Sequence, residues 1–106
     1  MAGYDVSKLD DVIHSKARLA IMSYLMTADP CDFTDLKTQL GLSDGNLSTH
    51  LRKLESSGYI QMEKTYRGRK PLTRLRPTAA GKKAFRAHVE GLARLLGPSL
   101  GGSGPD

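Results

Sequence analysis

A short glycine turn between two segments of helical periodicity constrains this sequence more than any other feature. Apolar residues recur at i, i+3 and i+7 before the turn and at i, i+4 and i+7 after it, which is the period of amphipathic helices. These residues are Phe33, Leu36, Leu40, Leu47, Leu51 and Leu54. In the turn Gly41-Leu42-Ser43, glycine tolerates a positive φ and serine can cap the second helix. Either Asp32 or Thr34 could cap the first. Such a pair of helices forms a helix-turn-helix.

The chain before this motif predicts two further helices. Ser7 and Asp10 resemble a capping box, which predicts a short first helix. Its apolar face holds Leu9, Val12 and Ile13. Ser15 can cap a second helix that runs to about Ala28, before the proline of Asp29-Pro30. Its apolar stripe is formed by Ala17, Ile21, Met22, Leu25 and Met26.

After the motif the apolar period changes to that of strands. Residues 59–66 and 72–76 are strand-like, and the basic turn RGRKP between them predicts a β-hairpin. Thr78 caps a final helix, residues 78–96, whose apolar stripe is Phe85, Val89, Leu92 and Leu96. Residues 97–106 lack periodicity and are predicted to be a disordered tail. Residues 1–96 therefore form one domain, mainly α with a small β-hairpin. This is a winged helix-turn-helix of about five helices with a two- to three-stranded antiparallel wing.

The positive charge is concentrated in one segment. The chain of 106 residues has a formal net charge of +5. Residues 46–83 hold ten lysines and arginines against two acidic residues, whereas residues 1–45 hold four against seven. A basic segment of this kind is typical of a surface that binds a polyanion.

The motif and the basic segment together predict a double-stranded DNA interface. The helix over residues 43–57 would enter the major groove, and the wing over residues 66–72 would lie on the minor groove or the phosphates. The residues expected to read bases are Asn46, Ser48, Thr49 and Arg52. Those expected to contact phosphates are Lys53, Lys64, Arg67, Arg69, Lys70, Arg74 and Arg76. Polar residues on a helix are more often a solvated face, but the glycine turn before them and the basic hairpin after them favour DNA contact.

A family resemblance supports the same interpretation. The run LSDGNLSTHLRKLESSGYI resembles the recognition helix of the MarR and ArsR superfamilies of bacterial and archaeal regulators, and YRGRKPLTRLRPTAAGKKAF is similar to the MarR-like wing and following helix. The most diagnostic residues are Ser48, His50, Leu51, Leu54, Gly58, Tyr59 and Ile60. Many of those regulators begin the last helix with Leu-Thr-Pro-x-Gly, whereas here Pro77 precedes Thr78. The resemblance covers roughly residues 9–96.

The resemblance implies a homodimeric transcriptional regulator, with repression the favoured mode, on a near-palindromic operator. Its interface would join the first and last helices through Leu9, Val12, Phe85, Val89, Leu92 and Leu96. The long apolar stripe of the last helix supports a dimer independently. MarR-like regulators often bind small aromatic ligands, so an unidentified small-molecule effector is a possible partner. Only the first and last helices could line its pocket.

Other classes of function find little support in the sequence. No catalytic motif is recognisable, and three scattered histidines with one cysteine lack metal-ligand spacing, so neither an enzyme nor a metal or other cofactor is expected. Cys31 is expected to be a small buried residue, with a redox role left open, and His50 to be partly buried. Without an export signal or membrane span the expected location is the cytoplasm. The alternative function is a winged-helix module that binds another protein.

Overall fold

Four α-helices and a small antiparallel sheet make up the computed structural model, which describes residues 6–97. The elements, in chain order, are a 3₁₀ turn (Val6–Lys8), α1 (Lys16–Thr27), β1 (Cys31–Asp32), α2 (Phe33–Leu40), α3 (Asp44–Ser56), β2 (Ile60–Arg67), β3 (Lys70–Pro77) and α4 (Ala79–Leu96). The predicted tail at residues 97–106 lies outside the described residues except for Gly97, which ends α4.

Four of the five helix starts predicted from the sequence are confirmed. Each α-helix follows a side chain whose oxygen accepts a backbone N–H three residues further on, which satisfies one of the free donors of a helix N-terminus. The four caps are Ser15, Asp32, Ser43 and Thr78. Asp32 rather than Thr34 therefore caps α2. Gly41 ends that helix with a φ of 65°, as the turn of a helix-turn-helix requires.

The predicted short helix at Leu9 to Ile13 is wrong. A 3₁₀ turn lies earlier, at Val6–Lys8, and an irregular turn follows. The reason is Asp10, whose Oδ1 accepts the backbone N–H groups of Val12 at 2.8 Å and Ile13 at 3.1 Å. An aspartate that binds backbone groups in this way stabilises a turn in competition with a helix.

The wing is longer and its turn tighter than predicted. β2 and β3 pair from Ile60↔Pro77 to Arg67↔Lys70, so Gly68 and Arg69 alone form the turn and Lys70 and Pro71 belong to β3. The strand order is β1-β3-β2, and β1 pairs only with Leu75 and Arg74. Pro71 therefore lies where β3 has no second neighbour, a position at which its missing N–H breaks no ladder bond.

One hydrophobic core joins the helices to the base of the sheet. Its buried members are Ile13, Ile21, Met22, Leu25, Cys31, Leu36, Leu47, Leu51, Leu54, Ile60 and Leu75. Burial of this apolar surface fixes α3 against the rest of the molecule and leaves its opposite face open. None of the helices within residues 6–97 combines the length and apolar character needed to span a membrane.

Candidate nucleic-acid interface

The exposed face of α3 carries the residues predicted to read bases. Leu47, Leu51 and Leu54 bury one side of the helix in the core. The other side exposes Asn46, Thr49, Arg52 and Lys53, and Ser48 is half-buried. A helix held by leucines on one side and open on the other can enter the major groove as a rigid body.

Thr49 has less hydrogen-bonding freedom than its exposure suggests. Its hydroxyl donates to the carbonyl oxygen of Gly45 at 2.9 Å, one turn earlier in α3. The oxygen remains able to accept a hydrogen bond, and the methyl group remains exposed. The side chain is therefore suited to a base amino group or a thymine methyl group, and Arg52 to the acceptors of guanine.

The predicted wing cations divide between the two faces of the hairpin. Because strand residues alternate, Lys64 and Tyr66 share the face of Ile60 and Leu75, which packs on the core at its base. Arg67, Lys70, Arg74 and Arg76 share the opposite face. Arg69 lies in the turn itself. The hairpin thus carries cations on both faces and at its tip, a distribution suited to phosphates on either side of a groove.

Of the cations predicted to contact DNA, only Arg76 has an acidic partner in the described residues: it lies 3.8 Å from Asp29. Two cations outside that set are also paired, Lys82 with Asp29 at 3.7 Å and Lys37 with Asp44 at 2.7 Å. In the described part of the chain, seven other cations of α3 and the wing have no acidic partner within ion-pair distance. They are Arg52, Lys53, Lys64, Arg67, Arg69, Lys70 and Arg74. All seven are exposed.

The predicted dimer residues flank the buried side of α4. Val89 is 44% and Leu96 46% exposed, while Phe85 and Leu92 are half-buried. Leu9 and Val12 are half-buried in the N-terminal segment. The stripe therefore keeps apolar surface that one copy of the chain does not cover.

A buried histidine ties the N-terminal segment to α4. His88 is completely buried, and its Nδ1 accepts the backbone N–H of Asp10 at 3.0 Å. The proton of the ring is therefore on Nε2, which lies 3.4 Å from Nδ1 of His14. Tyr59 donates its hydroxyl to Asp10 at 2.5 Å, and this bond raises the pKa of Tyr59 to about 12. These contacts hold residues 10–14 against α4 and the end of the helix-turn-helix.

Cys31 is buried, as predicted. Its burial, with the carboxylates of Asp35 and Asp32, raises the pKa of the thiol to about 11, so it stays protonated and unreactive near neutral pH. Within residues 6–97, no three histidine, cysteine or acidic side chains come together as a metal site.

Two features of this surface have no counterpart among the sequence predictions. Tyr66, read only as a strand residue, is 70% exposed on the wing beside an open cleft of about 700 Å³ that α2 borders on the other side. Arg18 of α1 contacts His50 of α3, although 32 residues separate them. The aromatic residue Tyr66 among the basic residues of the wing could have been recognised in the sequence as part of a binding surface. The contact between Arg18 and His50 could not, because no local sequence pattern indicates it.

Three comparisons place these features among known proteins. A family model described as a winged helix DNA-binding domain matches residues 17–96. An uncharacterized protein of Methanocaldococcus jannaschii is 32% identical over 84 residues, which are 79% of this chain and 91% of that protein. A structure described as a transcriptional regulator homologue from Pyrococcus horikoshii superposes with a TM-score of 0.76 at 27% identity, over 80% of this chain and 84% of the other.

Proposed function

The chain belongs to the winged helix DNA-binding domain family and is a DNA-binding regulator of transcription, and we propose that it binds a near-palindromic operator as a homodimer. In this proposal α3 lies in the major groove and the wing lies on the adjacent minor groove or phosphates. Repression is the simplest consequence of occupying an operator in this way. The proposal places the chain near the MarR and ArsR superfamilies, whose recognition-helix pattern it resembles.

The observation that carries the proposal is the set of seven unpaired cations on α3 and the wing. In the described residues Lys37, Arg76 and Lys82 have acidic partners, whereas these seven cations lie together on two adjacent elements with no acidic partner among them. Cations left unpaired on two adjacent elements produce a positive potential that attracts phosphates. The protein-binding alternative fits less well, because the cores of protein interfaces are depleted in charge.

The roles of the two elements differ. The side chains of α3 that face away from the core carry hydrogen-bond donors and acceptors, so Asn46, Ser48, Thr49 and Arg52 would supply specificity. The wing presents long cationic side chains, which would contact phosphates. Because phosphates are the same in every sequence, Arg67, Arg69, Lys70 and Arg74 would supply affinity for any DNA. Arg76, which faces Asp29, would contribute less than the others.

The dimer is supported by the apolar surface of α4. Val89 and Leu96 are about half exposed on one stripe, and a second copy related by two-fold symmetry would cover them. Two α3 helices would then lie about one DNA turn apart, roughly 10 base pairs. Leu9 and Val12 of the N-terminal segment, which the sequence also assigns to the dimer, would lie at the edge of the interface.

Equilibrium binding to matched duplexes tests the proposal. The protein is titrated into a fluorescent duplex that carries the sequence it enriches most from a random library and into a shuffled duplex of equal length and composition, at about 150 mM salt. We expect the enriched duplex to bind at least about a thousandfold more tightly than the shuffled one. Equal binding to both duplexes would refute sequence specificity, and no binding to either would favour the protein-binding alternative.

A further inference from the structure

A polar contact links α1 to the helix that we place in the major groove. Nη1 of Arg18 lies 3.2 Å from Nδ1 of His50, and Nε of Arg18 donates to the carbonyl oxygen of Val12 at 2.5 Å. A guanidinium group has donors but no acceptor, so Nδ1 of His50 must be the acceptor. The neutral ring then carries its proton on Nε2. Arg18 thereby fixes which nitrogen of His50 is available as a donor.

His50 lies on the flank of α3. At 100° per residue it falls between the buried leucines and the exposed positions of Asn46 and Lys53. The side chain is half-buried, and within residues 6–97 its Nε2 has no hydrogen-bond partner. Nε2 is also the ring nitrogen farther from the helix backbone. The structure therefore presents a single oriented N–H group at the side of the helix.

His50 also borders an open depression of about 430 Å³. It is lined by His50, by the turn residues Leu40 and Leu42, and by the start of α1 with the exposed Lys16. The depression lies beside α3 rather than on the face that carries Thr49 and Arg52. In a helix that enters the major groove, the flank meets the sugar-phosphate backbone while the centre of the exposed face meets base edges.

We propose that His50 donates its Nε2–H to a phosphate oxygen of the DNA backbone, and that Arg18 is a positioning residue that holds the imidazole in the donating tautomer. The inference deepens the proposed function and rests on it. A phosphate oxygen only accepts hydrogen bonds. The other neutral tautomer would present a lone pair at Nε2 and repel the phosphate, so the contact with Arg18 raises the fraction of His50 that can form the bond.

Two amide substitutions of His50 separate the roles of its nitrogens. Glutamine places its amide N–H near the position of Nε2, whereas asparagine reaches only to the position of Nδ1. We expect His50→Asn to weaken binding about tenfold to specific and shuffled duplexes alike, and His50→Gln to stay within about threefold of the wild type. The slope of affinity against salt should be unchanged in both, because a neutral donor releases no counterion.

The result that would overturn the phosphate contact is equal binding by wild type and His50→Asn. A changed base preference in His50→Asn would equally overturn it, since that outcome assigns His50 to a base. These results differ from a failure of the proposed function, in which the wild type itself would show no specific binding. Circular dichroism of each variant checks that α3 is intact.

The positioning role of Arg18 has its own measurement. ¹⁵N shifts of the histidine rings report the tautomer directly, and we expect His50 to be the Nε2–H form in the wild type and a mixture in Arg18→Met. In DNA binding, Arg18→Met should cost about two- to threefold in the wild-type background, the factor by which a mixture depletes the donating tautomer, and less in the His50→Gln background. An unchanged tautomer in Arg18→Met, or equal losses in both backgrounds, would overturn the positioning role.

Discussion

Gly81, in the first turn of α4, lies against the backbone of Tyr59. A Cβ built on Gly81 would be 2.0 Å from the carbonyl oxygen of Tyr59 and 2.8 Å from its carbonyl carbon. That same carbonyl accepts the backbone N–H of Thr78, which caps α4. The absence of a side chain at this position therefore lets the start of α4 pack directly on the end of the helix-turn-helix.

We expect Gly81→Ala to destabilise the protein by at least about 2 kcal/mol, because backbone must move to admit the methyl group. Urea unfolding measures the change in free energy. The matched control is Gly45→Ala, at a helical position where a Cβ meets nothing within 4 Å, and it should be neutral or stabilising by up to about 1 kcal/mol. Equal stability of the two variants would contradict the close approach.

Some residue roles could be predicted from the sequence because their causes are local. Ser15, Ser43 and Thr78 cap helices through backbone groups three residues away, and the leucines of α3 follow the helical period. The bond between the backbone N–H of Asp10 and His88, 78 residues further along, could not be predicted in this way. The contact of Arg18 with His50 escaped for the same reason. Pairings of this kind depend on tertiary packing, which local pattern does not contain.

At the scale of elements, the wing has a shape that its sequence determined only in part. The change of apolar period predicted two strands, but the extent of pairing depends on cross-strand register, which placed Lys70 and Pro71 in β3 rather than in the turn. Because the turn is short, Arg69 lies at its tip. The strand alternation and the cross-strand register place Lys64 on one face of the hairpin and Arg67, Lys70 and Arg74 on the other. The charge of the wing was therefore predictable, and the distribution of that charge was not.

The wing should contribute to binding mainly through counterion release. We expect Arg69→Ala to weaken binding to specific and shuffled duplexes by a similar factor and to reduce the slope of log affinity against log salt by about 1. Fluorescence anisotropy at four or more salt concentrations gives the slope. Arg86→Ala removes an exposed cation of α4 and should leave the slope unchanged. If both variants change the slope equally, the contribution comes from total charge and not from the wing.

The contact between α4 and the N-terminal segment should respond to acid. Burial lowers the pKa of His88 from its ordinary value of 6.5; His14 acts in the same direction, and Asp10 opposes them. At a pH between 6.5 and the lower pKa of His88 in the folded state, the unfolded chain binds a proton that the folded protein does not. Stability is therefore fully present above about pH 6.5 and falls as the pH decreases below it.

Urea unfolding at pH 7.5, 6.5 and 5.5 measures this effect. The wild type should lose free energy of unfolding between pH 6.5 and 5.5, by up to about 1.4 kcal/mol for one proton. His88→Asn keeps an acceptor for the backbone N–H of Asp10 but does not titrate, so it should be less stable at pH 7.5 and show a shallower pH dependence. An undiminished dependence in His88→Asn would assign the effect to other groups.

At the scale of the whole molecule, the apolar stripe of α4 should hold two copies together. We expect Val89→Asp to shift the protein toward monomer, because the carboxylate would be buried without a partner in the interface. Ala87→Asp, at an exposed position on another side of α4, is the matched control and should leave the mass unchanged. Sedimentation equilibrium gives the mass of each. A monomeric wild type at micromolar concentration would contradict the proposed dimer.

Sequence readout by α3 is the property on which every other proposed role of this protein depends. Binding-site selection from a random duplex library, with the wild type and Arg52→Ala in parallel, tests it most directly. We expect the wild type to enrich a near-palindrome with half-sites roughly 10 base pairs apart, and Arg52→Ala to lose preference at the same one or two positions in each half-site. No enriched sequence, or the same sequence enriched equally by both proteins, would contradict the claim.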